Sequence, residues 1–209
     1  LMLLEKFLEG KVKLNSMALL IGSSKIKTAV FISGNGSNLK SLIKFSNQKN
    51  SPFSINIIIS DNPKAKGLVY GKIFKIKKKV FNFSNKIDTE RKILKILKKN
   101  EINLICLAGF MRIISKKFIK NFNGKILNIH PSLLPKYKGL NTHERAIQKN
   151  EKFAGCTVHH VTSKLDSGKI ILQKKVKISK NETVEKLAKK VLIQEHKIYP
   201  RAILKIFNP

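Results

Sequence analysis

The 209-residue chain carries 43 lysines and arginines against 12 aspartates and glutamates, a formal net charge of +31. This length suits one domain with a sizeable core, and no apolar run approaches the length of a membrane span. The two cysteines, Cys106 and Cys156, form no C-x-x-C pair and no disulfide framework, which indicates a reducing, cytoplasmic compartment.

High positive charge is typical of proteins that bind nucleic acids. Only four of the basic residues are arginines, however, and the lysines are spread along the whole chain. Arginine suits phosphates and bases better than lysine, because its guanidinium group can donate two parallel hydrogen bonds. Asparagine and isoleucine, which share A/T-rich codons with lysine, are also abundant. We therefore favour compositional drift and expect small-molecule substrates, with no membrane or nucleic-acid partner. A basic nucleic-acid-binding protein is the alternative from another functional class.

We expect residues 1–25 to form an extension outside the folded domain, because short apolar stretches alternate with charged residues there. The stretch lacks the continuous apolar core and cleavage site of a signal peptide. Met17 is a candidate start. We expect a single domain over residues 26–209.

Along that domain, apolar runs that suit strands alternate about five times with segments of helical spacing. This alternation predicts an α/β fold: an open, mostly parallel twisted sheet with helices on both faces and right-handed crossovers, as in Rossmann-like proteins. We expect the last two strands to join this sheet in antiparallel orientation near the C-terminus. The expected strands cover residues 26–33, 53–60, 74–80, 102–108, 124–130, 155–161 and 170–176, and the expected helices cover 39–45, 67–72, 87–99, 115–122, 142–149 and 181–207.

Three segments follow predicted strands: the G-N-G-S-N turn at residues 34–38, residues 109–114, and residues 128–134. In an open parallel sheet the carboxyl ends of the strands share one rim, and ligands bind there. The glycine-rich turn before a helix predicts an anion site, because free N–H groups and the helix dipole converge on it. It lacks the G-K-[ST] of a P-loop and a third glycine, so a plain tight turn is the alternative.

Asn128 and His130 lie two residues apart in the fifth predicted strand and so project to the same side. An amide can donate to a developing oxyanion, and an imidazole can exchange a proton near neutral pH. Asp166 is the carboxylate that we expect beside His130, although its place before Gly168 also suits an ordinary turn residue. His159 and His160 are of types that more often pack or form hydrogen bonds than catalyse.

No serine or cysteine nucleophile accompanies these residues, and their spacing does not resemble a metal site. The chemistry indicated is direct attack of a substrate amine on a carbonyl. The alternative is that Asn128 and His130 are ordinary polar residues at the end of a strand.

Four motifs carry a resemblance: G-N-G-S-N at 34–38, A-G-F-M-R at 108–112, N-I-H-P-S-L-L-P at 128–135, and L-D-S-G at 165–168. Together they resemble the phosphoribosylglycinamide formyltransferase family, from about residue 26 to residue 207. The middle motifs are shared with the wider superfamily, including methionyl-tRNA formyltransferase and formyltetrahydrofolate deformylase. The early turn and K-G-L-N-T-H at 138–143 resemble the glycinamide ribonucleotide enzymes in particular.

The resemblance implies transfer of a formyl group from 10-formyltetrahydrofolate to glycinamide ribonucleotide in purine synthesis, without a metal, by a monomer or homodimer. It implies that Asn128 contacts the formyl oxygen, that His130 is the proton donor, and that Asp166 raises the pKa of His130. The residues that would hold the phosphate and ribonucleotide are Gly36, Ser37, Asn38 and Glu195. Those that would contact folate, besides Asn128, are Lys86, Met111, Arg112, Ile113, Ile114, Thr162, Ser163, Lys164 and Leu165.

Lys86 stands where the family has an arginine, so its folate contact is in doubt, because lysine lacks the bidentate fork. A related formyl-transfer or deformylase activity is the rival enzyme reading. A tRNA or water acceptor would not need the phosphate turn.

Overall fold

The computed structural model describes residues 25–207. Except for Lys25, the predicted extension lies outside the described residues, and so does the candidate start at Met17. The described chain is built on one seven-stranded sheet in the order β3-β2-β1-β4-β5-β6-β7. The strands are β1 (Ile26–Ile32), β2 (Phe53–Ser60), β3 (Lys77–Val80), β4 (Leu104–Leu107), β5 (Lys125–His130), β6 (Phe153–His160) and β7 (Ile170–Lys177).

Neighbouring strands from β3 to β5 pair in parallel, whereas β6 runs antiparallel to both β5 and β7. This arrangement confirms the predicted mostly parallel sheet with an antiparallel addition. The change of direction falls between β5 and β6, where Asn128 pairs with His159 and His130 pairs with Thr157.

Helices cover both faces of the sheet, as the sequence predicts. They are α1 (Ser37–Ser46), α2 (Val69–Ile73), α3 (Lys86–Lys99), α4 (Lys116–Asn121), α5 (Thr142–Gln148) and α6 (Val184–Phe207), and a short 3-10 turn (Lys66–Leu68) leads into α2. Alternate residues of β1 enter two separate cores, because successive side chains of a strand point to opposite faces. Val30 and Ile32 lie in the core that includes residues of α1 and α6, whereas Ala29 and Phe31 lie in the core that includes residues of α3 and α4.

Side chains cap two of the helix starts. The hydroxyl of Ser115 accepts from the N–H of Phe118 at the start of α4. The hydroxyl of Thr183 accepts from the N–H of Lys186 at 3.3 Å at the start of α6.

The third strand is shorter than expected. Residues 74–77 alternate apolar residues with lysine, yet only Lys77–Val80 is extended. Helix α2 ends at Ile73, and Lys75 adopts the left-handed conformation, with φ 55°. Residues 74–76 instead close the helix, since their N–H groups donate to carbonyls of residues 70–72.

Lysines are concentrated on the two outer strands of the described sheet. Lys77, Lys78 and Lys79 are exposed on β3, and Lys174, Lys175 and Lys177 are exposed on β7. Within residues 25–207, no helix combines the length and apolar character needed to cross a membrane.

Candidate active site

A cleft of about 660 Å³ opens beside the ends of β4 and β5. Segments that follow β4, β5 and β6 line it, together with residues of α1, α5 and α6. It brings together most of the residues singled out in the sequence: Asn38, Met111, Arg112, Ile113, Ile114, Asn128, His130, Thr162, Ser163, Lys164, Leu165, Asp166 and Glu195. Gly36, Ser37 and Lys86 do not line it.

The end of β5 is held rigidly beside β6. The hydroxyl of Thr157, which is fully buried, donates to the carbonyl of Ser132 at 2.6 Å and accepts from the N–H of Leu134 at 3.1 Å. Gln173 on β7 donates to the carbonyl of Leu134 at 2.7 Å. These bonds fix the turn that follows His130, and so fix the direction in which the buried imidazole points.

Both ring nitrogens of His130 face oxygen atoms. Nε2 lies 2.9 Å from the main-chain carbonyl of Tyr137. A carbonyl oxygen only accepts, so Nε2 carries the hydrogen of that bond. Nδ1 lies 3.4 Å from Oδ2 of Asp166. The imidazole is therefore oriented by a backbone group on one side and by a carboxylate on the other.

Asp166 reaches this position from the connection between β6 and β7. Its backbone is left-handed, with φ 44°, and its Oδ2 accepts the main-chain N–H of Gly139 at 2.9 Å. Gly168 allows the connection to fold closely over β6, since a Cβ there would lie 1.7 Å from the carbonyl oxygen of His160. The side chain of Asp166 is 7% exposed.

His159 is hydrogen-bonded to the amide of Asn128. Its Nδ1 lies 2.9 Å from the carbonyl of His160 and must donate there. Burial lowers the pKa of His159, which favours the neutral ring, so Nε2 accepts from Nδ2 of Asn128 at 3.2 Å. This is the hydrogen-bonding role that the sequence favours for His159. The other N–H of Asn128 reaches Oδ1 of Asp166 only at 3.5 Å.

The glycine-rich turn lies directly before α1. Gly36 occupies the N-cap position with φ 70°, and the first turn of the helix contains no acidic residue. The first main-chain N–H groups of a helix have no partner within it, so this end of α1 is suited to an anion. A Cβ on Gly36 would lie 2.7 Å from Cα of Gly67, which shows how closely the 3-10 turn supports the glycine-rich turn.

Asn38 and Glu195 form a buried pair on the cleft wall next to that turn. Nδ2 of Asn38 donates to Oε2 of Glu195 at 2.7 Å. Burial raises the pKa of Glu195, and the hydrogen bond from Asn38 partly offsets the rise. Oδ1 of Asn38 is buried and has no partner among the described residues. Buried polar atoms are normally satisfied, so this wall is suited to a polar ligand.

The opposite wall is largely apolar. Met111 and Ile113 are each 63% exposed, and Leu165 on the facing connection is 52% exposed. Lys86 lies outside the cleft, exposed at the first residue of α3. Its predicted folate contact stays a prediction.

Sequence reasoning missed three members of the site. Tyr137 and Gly139 contribute main-chain atoms, which leave no side-chain signal in a sequence. His143 lines the cleft, and its Nδ1 is buried without a partner among residues 25–207. Burial and the nearby His130 lower its pKa. The K-G-L-N-T-H stretch contains His143, but the spacing of that stretch alone assigns it no role.

No group of three or more histidine, cysteine or acidic side chains in the described part of the chain has the geometry to hold a metal ion. The described cleft lining contains no cysteine and one serine, Ser163, which lies in the connection between β6 and β7. Asn128, His130 and Asp166 provide an amide, an imidazole and a carboxylate in this lining.

Comparison with known proteins identifies the family. The model of the formyl transferase family matches residues 26–203. The chain belongs to the formyl transferase family. Among the relatives of this formyl transferase is phosphoribosylglycinamide formyltransferase of Haemophilus influenzae, 44% identical, with 85% of each chain covered.

The corresponding enzyme of Bacillus subtilis is 37% identical over 87% of this chain and 95% of its own. The human trifunctional purine biosynthetic protein adenosine-3 is 43% identical, and the match covers 86% of this chain but only 18% of that protein. The crystal structure of phosphoribosylglycinamide formyltransferase from Brucella melitensis has a TM-score of 0.83 and 42% identity, covering 88% of this chain and 96% of its own.

Proposed function

We propose that this formyl transferase carries the formyl group of 10-formyltetrahydrofolate to the amine of 5'-phosphoribosylglycinamide, a step of purine biosynthesis. One observation carries the proposal: the cleft that contains the Asn128–His130–Asp166 group also reaches Asn38, in the first turn of a helix whose N-terminus is suited to a phosphate. The relatives that match most of their own length with this chain are named phosphoribosylglycinamide formyltransferases.

The ribonucleotide enters from the α1 side in this proposal. The N–H groups after Gly36 bind the phosphate, as helix N-termini do elsewhere. Glu195 is then placed to accept from hydroxyl groups of the ribose, and the unpartnered Oδ1 of Asn38 offers a further acceptor. This arrangement directs the glycinamide amine towards the end of β5.

The folate occupies the apolar side of the cleft. Residues 111–114 and residues 162–165 both line it, and the exposed apolar side chains among them suit an aromatic ligand. The formyl group then lies between the two walls, beside Asn128 and His130.

The chemistry needs no covalent enzyme intermediate. The amine nitrogen attacks the formyl carbon, the new C–N bond forms, and the carbonyl electrons move onto oxygen. The weakly engaged N–H of Asn128 donates to this oxyanion. When the bond from carbon to N10 of the folate breaks, N10 gains a proton and the former amine loses one. His130 moves that proton through Nδ1, and Asp166, whose Oδ2 lies 3.4 Å from Nδ1, orients the ring.

We place the reaction in the cytoplasm. Cys106 and Cys156 are both buried and unpaired, and burial raises the pKa of each thiol to about 12. Such thiols are inert and fit a reducing compartment.

A direct assay tests the function. Purified protein is mixed with 10-formyltetrahydrofolate and 5'-phosphoribosylglycinamide, and formylated product and tetrahydrofolate are measured together. We expect turnover with this acceptor, and a loss of about 10²–10⁴-fold in kcat for His130→Ala, the range for a positioned general acid. His160→Ala is the control, because His160 lies on β6 but does not line the cleft. Release of formate without transfer would instead indicate a deformylase.

A further inference from the structure

Asp61 is an unusual carboxylate for a residue in a surface turn. It directly follows β2, yet its side chain is only 5% exposed. Its two oxygen atoms have different partners: Oδ1 accepts from the hydroxyl of Ser33 at 2.5 Å, and Oδ2 accepts from Nε of Arg112 at 2.7 Å. Asp61 itself does not line the cleft.

Ser33 transmits the effect of this carboxylate to the cleft wall. Because its hydroxyl hydrogen is directed to Asp61, its oxygen is available to accept, and it takes the N–H of Met111 at 2.8 Å. The N–H of Ser33 also donates to the carbonyl of Gly109 at 3.0 Å. Two main-chain groups of the 109–114 segment are therefore bonded to the end of β1.

Arg112 is held in the same network. Its guanidinium group lies 5.8 Å from the centre of the Phe83 ring, and Phe83 packs edge-on against Phe110 at 5.8 Å between ring centres. In the described part of the chain only Nε of Arg112 has a polar partner. The guanidinium is thus fixed by one carboxylate edge and one aromatic face, while half of the side chain stays exposed.

We propose that Asp61 is a positioning residue for the formyl-carrying substrate. It touches neither substrate; it holds Ser33 and Arg112, and through them the shape of the apolar wall at residues 109–113. The inference rests on the proposed function, since that wall is where the folate binds.

The chemistry explains why a carboxylate is needed. Both partners of Asp61 are donors, and an ionised carboxylate accepts with both oxygens. An amide has only one acceptor oxygen, so Asp61→Asn can accept from Ser33 or from Arg112 but not from both. If that oxygen stays on Arg112, the hydroxyl hydrogen of Ser33 loses its acceptor. The negative charge that pairs with Arg112 is lost as well.

Steady-state kinetics with each substrate varied in turn tests the proposal. We expect Asp61→Asn to raise KM for 10-formyltetrahydrofolate about tenfold, since a charge-assisted bond is lost. KM for the ribonucleotide and kcat should stay within about twofold. The matched control is Asp88→Asn, which removes an exposed carboxylate paired with Lys92 on α3. Equal increases in both KM values would mean general damage and would overturn the proposal.

Ser33→Ala keeps the test decisive even if the Asp61 variant does not fold. It removes the hydroxyl that links Asp61 to Met111 but leaves the Asp61–Arg112 pair. We expect a rise in the folate KM in the same direction, and an unchanged value would contradict the inference. Because the two residues act in one network, the double variant should show less than the product of the single effects.

A second readout does not depend on turnover. Amide hydrogen exchange at residues 109–113 should be faster in Asp61→Asn than in the parent, with α1 unchanged. If the parent fails to transfer formyl groups at all, the proposed function is wrong. If the parent is active but exchange and folate KM do not change in the variant, only the role of Asp61 is wrong.

Discussion

Nδ1 of His130 lies 3.4 Å from the same carboxylate oxygen of Asp166 that accepts the main-chain N–H of Gly139. A backbone bond therefore keeps the carboxylate directed at the imidazole. His130 and Asp166 come from a parallel strand and from an antiparallel hairpin, so the pair depends on the junction between the two halves of the sheet.

Asp166→Asn removes the negative charge of this pair but keeps a side chain of nearly the same shape. Asparagine tolerates the left-handed conformation that Asp166 adopts, so we expect the connection to keep its course and the melting temperature to change little. We expect kcat to fall about 10²-fold, the lower end for loss of acid–base function, and KM for the ribonucleotide to stay the same. A fully active variant would show that the negative charge of Asp166 is unnecessary.

The turn before α1 offers a matched pair of glycine substitutions. Gly36→Ala places a Cβ 2.7 Å from Cα of Gly67 in a backbone conformation that alanine rarely adopts. We expect KM for the ribonucleotide to rise about tenfold or more, because the N–H groups move away from the phosphate. Gly34→Ala meets no atom within 4 Å and is the control. Equal kinetics for the two variants would argue against a phosphate site here.

We expect Glu195→Gln to make the fold more stable but to weaken binding of the ribonucleotide. Its pKa is raised by burial, so the charged form is costly, and Glu195→Gln removes that cost while its amide oxygen can still accept from Asn38. A gain of about 1 kcal/mol would raise Tm by about 2–4 °C for a chain of this size, with weaker ribonucleotide binding. Glu185→Gln, on the exposed first turn of the same helix, should give no such gain. A lower Tm for Glu195→Gln would contradict the argument.

Stability should decrease on mild acidification. Burial is the main cause that lowers the pKa of His143, His159, His160 and His196 below the ordinary 6.5. Below 6.5 the unfolded chain therefore binds more protons than the folded chain, and the free energy of unfolding falls as pH falls. Glu195, whose pKa is raised, acts in the opposite sense at lower pH.

Urea denaturation at about pH 7.5 and about pH 5.5 measures this effect. We expect a lower midpoint at the acidic value with an unchanged slope. The interval lies above the ordinary pKa of 4.5 for glutamate, so most exposed carboxylates do not contribute. A midpoint that rises on acidification would show that the buried imidazoles are not the dominant groups.

The sequence predicts the fold well where one face of an element is buried. Ile57, Ile58 and Ile59 in β2, for example, are all nearly inaccessible, and a continuous apolar run of this kind has few alternatives to a central strand. The outer strand β3 has no such constraint. Its residues are exposed, so alternation alone could not fix where it begins.

The sequence predicts those parts of the site that are formed by the side chains of recognisable motifs. Asn128 and His130 follow from strand periodicity, and Asp166 follows as the carboxylate expected beside an imidazole. Ser33 and Asp61, by contrast, stand in the sequence as a strand end and a turn residue. Only the folded chain shows that they bond to each other and to Met111 and Arg112. Contacts between segments distant in sequence, and those made by main-chain atoms, leave no periodic pattern.

The lysines on β3 and β7 have a consequence for behaviour in concentrated solution. Outer strands present unpaired backbone groups that can template association between copies, and clustered charge opposes this. Two molecules that approached edge to edge would bring Lys77, Lys78 and Lys79 against Lys174 or Lys175 of the other copy. Salt screens such repulsion over about 10 Å at 0.1 M. The lysines on β3 and β7 thus protect the sheet against edge-to-edge aggregation, most strongly at low ionic strength.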